Sequence, residues 1–107
     1  MARLPKYTID YVAEVYAHLD FIESKYHRRI AAAIRQQLSH TPTTKTRNRK
    51  LLEERASFGA TWELRFGLHN SFRVFYAVDH ARHVVTILAI GIKDGHRLVI
   101  GGQEFEL

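Results

Sequence analysis

The chain has 107 residues, 46% of them hydrophobic, which is enough for one compact domain over residues 1–107 but not for two separate cores. Sixteen Lys and Arg against eleven Asp and Glu give a formal charge of +5, which favours polyanionic partners. The absence of cysteine excludes disulfide scaffolds, thiol nucleophiles and cysteine-ligated zinc. No apolar run is long enough to span a bilayer or to form a secretory leader, so we expect a soluble protein that needs no metal or cofactor.

The first third of the chain predicts a short strand followed by two helices. Residues 6–9 form the strand candidate, and Asp10 is placed to cap a helix. Apolar residues of this first helix recur at helical spacing, namely Val12, Val15, Tyr16, Leu19 and Ile22. A second helix is predicted over residues 26–39, before Pro42, with an inward face of Tyr26, Ile30, Ala33, Ile34 and Leu38. The segment between the helices is short, which predicts an antiparallel hairpin.

Residues 43–50 contain four cations and no apolar side chain. This composition predicts an exposed basic connector. Its cations are candidates for contact with RNA or the ribosome, and a plain solvated loop is the alternative. The candidate residues are Lys45, Arg47, Arg49 and Lys50.

From Thr61 onward the apolar period changes to two, which is typical of strands. Two strands are predicted around a hairpin loop at residues 67–71, and a nearly all-apolar third strand over residues 83–93 is typical of a central strand. Residues 98–100 add a last short strand. The predicted fold class is α+β: a short N-terminal strand, a two-helix antiparallel hairpin, and an antiparallel meander of three to four strands.

Alternation on the first two meander strands predicts a polar cluster on the sheet face that the helices leave free. Glu63, Arg65 and Arg73 share this face, and a symmetric hairpin puts Arg65 directly opposite Arg73. Two facing guanidinium groups need a counter-charge, either a bound anion, which we favour, or Glu63. With a three-residue turn at residues 80–82, Lys93 falls on the same face, near His69.

Such a cluster suits RNA cleavage in which the ribose 2′-hydroxyl attacks the adjacent phosphate. Cations stabilise the charge that develops on the phosphorane, and groups that titrate near neutrality move protons. A solvated face on which Glu63 pairs with the arginines is the alternative. The candidate catalytic residues are Arg65, Arg73, Lys93, His69 and His96.

Five segments, in their order and spacing, resemble the RelE/ParE toxin superfamily, whose strand–helix–helix–meander fold agrees with the fold predicted above. The segments are Thr46-Arg47-Asn48-Arg49-Lys50, Trp62-Glu63-Leu64-Arg65, Phe72-Arg73-Val74-Phe75-Tyr76-Ala77-Val78-Asp79, Leu88-Ala89-Ile90-Gly91-Ile92-Lys93 and Ile100-Gly101-Gly102. The resemblance implies a bacterial, cytoplasmic toxin of a type II toxin–antitoxin system. It also implies an antitoxin protein as partner and no association with a membrane.

The resemblance leaves the target open. Arg65, Arg73 and Lys93 match basic positions of RelE-type ribosome-dependent mRNA endonucleases, which implies mRNA and the ribosome as partners and inhibition of translation as outcome. Glu63 stands where that nuclease carries a lysine, and its C-terminal tyrosine has no counterpart. These departures favour a ParE-type DNA gyrase poison without nuclease activity, or a non-toxic member that only binds the antitoxin. Enzymatic activity is therefore an open question at the level of sequence.

Overall fold

The computed structural model describes residues 4–56 and 58–105, and it confirms the α+β class. Two helices follow a short first strand, and a 3-10 turn at Ser24–Tyr26 joins them. The elements in chain order are β1 (Thr8–Tyr11), α1 (Glu14–Asp20), α2 (His27–Leu38), β2 (Arg49–Leu51), β3 (Trp62–Phe66), β4 (Phe72–Asp79), β5 (Val84–Asp94), β6 (Arg97–Ile100) and β7 (Gln103–Phe105).

The described strands form one sheet in the order β2-β3-β4-β5-β6-β7, with antiparallel neighbours throughout. Strand β1 also joins it, in parallel with the first half of β5. The apolar third strand of the prediction is confirmed as the central strand, because β5 pairs with β4 on one edge and with β1 and β6 on the other. The sheet is wider than predicted, since β2 and β7 have three residues each and are too short to show alternation.

The two helices lie against one face of the sheet and bury the main core. That core contains Val15, Ile30, Ile34, Leu38, Leu64, Val74, Tyr76, Ile87 and Ile90, all at most 1% exposed. His27 links the start of α2 to the end of α1, because its Nε2–H donates to the carbonyl oxygens of Leu19 (2.9 Å) and Ile22 (2.8 Å). Among the described residues, no helix is long and apolar enough to cross a membrane.

The opposite face of the sheet has a smaller core of its own. It consists of Ala60, Phe75, Ala89, Leu98 and Ile100, which are buried under the loop between β2 and β3. This second core covers part of the face that the sequence predicted to be free. The polar cluster is therefore confined to the end of the sheet near the β3–β4 hairpin.

The predicted start of the first helix is wrong. Asp10 lies in β1 opposite Thr86 and caps nothing, and α1 begins at Glu14 without a side-chain cap. Parallel pairing with β5 extends β1 to Tyr11, and this long-range pairing leaves no local sequence signal. Tyr16, assigned to the packed face, is 64% exposed, because the short α1 turns only Val15 fully inward.

One edge of β5 is left without a strand partner between the ends of β1 and β6. Its pairing with β1 ends at Ile87, and its pairing with β6 begins at Gly91. His18 of α1 fills this gap, because its Nδ1 accepts a hydrogen bond from the Ile90 backbone N–H at 3.3 Å. The imidazole must be neutral to accept this bond, and burial indeed holds the pKa of His18 below its ordinary value.

A β-bulge controls which residues of β5 face the helices. The turn before β5 has four residues, since Asp79 pairs with Val84, and not the three that we predicted. Leu88 is an extra residue, because Phe75 pairs with Ala89 while Tyr76 pairs with Ile87. The longer turn and the bulge each shift the alternation by one residue. Their effects cancel, so Lys93 does reach the face of Arg73, by a different route from the one predicted.

Candidate functional site

The polar cluster is built on β3 and β4 around Glu63. The predicted register is confirmed, with Arg65 directly opposite Arg73. Glu63 Oε1 accepts a hydrogen bond from Arg65 Nε at 2.8 Å, and Glu63 Oε2 accepts one from Arg73 Nη1 at 3.3 Å. Glu63 is therefore a counter-charge that the two arginines share, which was the alternative to a bound anion in the prediction from sequence.

The two arginines differ in their access to solvent. The Arg73 side chain is 5% exposed, and its Nε donates to the Asn70 carbonyl oxygen at 2.8 Å. The Arg65 side chain is 31% exposed and has no such tie to the hairpin loop. Arg73 is thus a buried organiser of the cluster, while Arg65 is able to meet a ligand.

A cavity of about 550 Å³ opens above this cluster. Its wall combines five cations with three carboxylates, and Phe75 and Leu98 form an apolar floor. The charged residues that line it are Lys50, Glu53, Glu54, Arg55, Glu63, Arg65, Arg73 and Lys93. Lys50 belongs to β2 and Lys93 to the end of β5, so strands from both sides of β3 and β4 contribute cations.

The loop between β2 and β3 forms the outer wall of this cavity. The Phe58 ring packs edge-on against Phe75, with centroids 5.5 Å apart, and against Phe105 at 6.5 Å. This aromatic contact places Glu53 and Glu54 along the cavity. The sequence pattern gave no sign of either carboxylate, because the loop has no periodicity and its position depends on packing against the second core.

The two histidines proposed for catalysis do not line this cavity. His69 lies at the tip of the β3–β4 hairpin and lines a neighbouring cavity, together with Arg73 and Lys93. His96 is exposed in the turn between β5 and β6 and lines neither of the two cavities. The structure therefore brings together the two arginines and Lys93, and it separates His96 from them.

The basic connector is only partly the exposed loop that we predicted. Lys45 and Arg47 are exposed and lie outside the cavity, and Lys50 lies on its rim. Arg49 is wrong as a surface contact, because it is 7% exposed. Its Nη1 donates to the carbonyl oxygens of Gln37, at 2.8 Å, and Thr41, so it ties the end of α2 to β2.

The fold is thus a helix pair packed on a sheet of six antiparallel strands and one parallel strand, with a cationic cavity at one end of the face away from the helices. This is a RelE-like fold. One chain in the crystal structure of the toxin–antitoxin complex RelBE2 from Mycobacterium tuberculosis superposes with a TM-score of 0.67, over 87% of the present chain and 98% of that chain, at 20% sequence identity. No protein-family model matches the sequence, and no curated protein matches it.

Proposed function

We propose that this protein is the toxin of a type II toxin–antitoxin system and that it cleaves mRNA on the ribosome. The observation that carries the proposal is the convergence of Lys50, Arg65 and Lys93 on one cavity, above the buried Arg73, in a RelE-like fold. These three cations, together with the exposed Arg55 of the loop wall, suit a phosphodiester group in a cavity of about 550 Å³.

In the proposed reaction the ribose 2′-oxygen attacks the adjacent phosphorus, and the bond from phosphorus to the 5′-oxygen breaks. The products are a 2′,3′-cyclic phosphate and a 5′-hydroxyl group. Arg65 and Lys93 stabilise the charge on the non-bridging phosphate oxygens. Glu53 and Glu54 are the carboxylates placed to accept the 2′-hydroxyl proton, since both oxygens of Glu63 are engaged by arginines. The 5′-oxygen takes up a proton from solvent water as it leaves, and the glutamate then releases its proton to solvent.

The proposed partner protein is an antitoxin of acidic character. The similar structure is a toxin–antitoxin complex, and the present chain carries a formal charge of +5 on a small body. Complementary charge would speed the encounter of the two proteins and hold the toxin inactive.

A second function is favoured by one observation. Glu63 pairs with both arginines, which is the arrangement expected of a structural ion-pair cluster as much as of a catalytic one. A DNA gyrase poison of ParE type needs no catalytic cluster, and it is the alternative that the experiment below distinguishes. A member that binds the antitoxin without toxicity would leave both mRNA and gyrase unaffected.

The test is expression in a cell-free translation reaction, with mRNA 5′ ends mapped by primer extension. We expect discrete cuts that require ribosomes, and a loss of at least about 100-fold in cutting for Arg65→Gln and Lys93→Gln, as is usual for groups that stabilise transition-state charge. The matched control is Arg82→Gln, which removes an exposed arginine from the turn at the far end of the sheet. Intact mRNA would refute the nuclease, and gyrase cleavage complexes in a DNA supercoiling assay would establish the alternative.

A further inference from the structure

A second cavity, of about 760 Å³, lies at the end of the sheet where the β3–β4 and β5–β6 turns meet. It shares Arg73 and Lys93 with the first cavity, so the two are neighbours across this pair of cations. The remaining wall combines apolar side chains with one further cation and one carboxylate. It includes Tyr26, Arg29, Leu68, His69, Phe72 and Asp94.

The hairpin tip holds an exposed leucine in a fixed position beside this cavity. Leu68 is 77% exposed. His69 and Asn70 both adopt left-handed backbone conformations, with φ of 56° and 54°, which residues other than glycine rarely adopt. Such strained tips persist only where the surroundings enforce them, and they concentrate at ligand sites.

The structure around the tip enforces this conformation at both ends. Arg73 Nε donates to the Asn70 carbonyl oxygen at 2.8 Å, and the Lys93 backbone N–H donates to the Ser71 carbonyl oxygen at 2.7 Å. At the start of the tip, Gly67 has a φ of 82°, and a Cβ there would come within 2.5 Å of the Phe72 ring. The tip is therefore positioned by the same residues that organise the first cavity.

The chemistry of the wall fits one nucleotide. Leu68, His69 and Tyr26 provide apolar and π surface for a base. The Tyr26 ring rests on the buried Phe72 ring, with centroids 5.3 Å apart. Lys93, on the boundary with the first cavity, and Arg29 provide positive charge for the phosphates on either side of this nucleoside, against the single carboxylate of Asp94. The volume lies in the range of small-molecule sites.

We propose that this second cavity, with Leu68 and His69 at its mouth, is a subsite for the nucleoside next to the phosphodiester held in the first cavity. A single RNA strand would then cross the Arg73–Lys93 boundary, with a phosphate on one side and a base on the other. This inference rests on the proposed nuclease function and adds to it a site that binds one base of the RNA.

The experiment measures binding to fluorescein-labelled hexaribonucleotides made uncleavable by 2′-fluoro substitution. One probe is intact, and each of six others lacks the base at one position. We expect the free protein to lose about tenfold in affinity when one particular base is absent, since stacking of one base is worth a factor of this order. Leu68→Ser is expected to weaken binding of the intact probe about fivefold and to abolish the difference between probes.

The matched control is Leu51→Ser, because Leu51 is also an exposed leucine, at 58%, but lies in β2 outside both cavities. Equal affinity for all probes, or equal loss in the two leucine variants, would overturn the subsite. The mRNA 5′-end assay is read separately: cuts without any preference among the probes would overturn the subsite alone, and a preference without cuts would overturn the nuclease alone.

Discussion

Glu63 is the residue on which the site depends, because it holds both arginines although its own side chain is only 2% exposed. It lies between two guanidinium groups, and each of its oxygens is engaged by one of them. A buried carboxylate that is engaged on both oxygens positions its partners. A test of Arg73 by alanine substitution would therefore confound loss of chemistry with loss of structure.

The first prediction concerns this ion pair. Glu63→Gln keeps the shape of the side chain but leaves the buried Arg73 cation without a counter-charge, which costs about 3 kcal/mol in the free energy of unfolding. The measurement is urea denaturation. As control, Glu104→Gln removes one partner of an exposed pair with Arg97, whose side chains are 58% and 63% exposed, and should change stability by less than about 0.5 kcal/mol. Equal effects of the two substitutions would contradict the organising role of Glu63.

The second prediction separates two arginines that are neighbours in sequence. Arg49→Ala removes a buried guanidinium that satisfies the Gln37 and Thr41 carbonyl oxygens, and should destabilise the protein by about 2 kcal/mol. Arg47→Ala, at an exposed position of the same loop, should leave the urea midpoint unchanged. If both variants unfolded at the midpoint of the unmodified protein, Arg49 would not join α2 to β2 as the structure indicates.

At the scale of elements, the contact between α1 and β5 depends on the protonation state of one side chain. His18 accepts the Ile90 N–H only when it is neutral, and Glu14 is the charged group that opposes the effect of burial on its pKa. The folded pKa lies below the ordinary value of 6.5, so the unfolded chain takes up the proton first as pH falls. This contribution to stability is complete above about pH 6.5 and is lost as pH falls through the folded pKa.

The third prediction follows from the lowered pKa of His18 in the folded protein. His18→Asn places an amide oxygen near the position of Nδ1, where it accepts the same hydrogen bond but does not titrate. The free energy of unfolding of the unmodified protein should therefore decline from pH 7 to pH 5 more steeply than that of the variant. Chemical denaturation at several pH values measures both curves. Parallel curves would show that His18 does not titrate in contact with β5.

The elements that sequence predicted well are those whose pattern is local and long. The 12-residue α2 shows its core positions at helical spacing, and the 11-residue β5 shows its burial by composition alone. The predicted starts of β1 and α1 were wrong, because parallel pairing with β5, which is remote in sequence, determines where β1 ends. In the site, alternation found Arg65 opposite Arg73, but it could not show which counter-charge they use or that the loop carrying Glu53 covers them.

At the scale of the whole molecule, the formal charge of +5 favours association with negatively charged partners. The fourth prediction is that free protein binds single-stranded RNA with an affinity that falls about 20-fold between 50 and 200 mM salt, as expected for about three phosphate contacts. Fluorescence anisotropy at four salt concentrations measures the slope. Lys50→Gln should reduce the slope of log affinity against log salt by about 0.7, since it removes one contact. A slope near zero would contradict an electrostatic basis for binding.

The bulge at Leu88 affects both the main core and the cavities. Ile92 packs against the main core, while the next residue, Lys93, lines the cavities. The register of β5 therefore determines both the core contact and the cavity contact. A slip of β5 by one residue would exchange these directions, burying an amine and exposing an isoleucine. Molecules that lose the site through misregister therefore also lose their core, and we expect them to be degraded instead of persisting as folded, inactive copies.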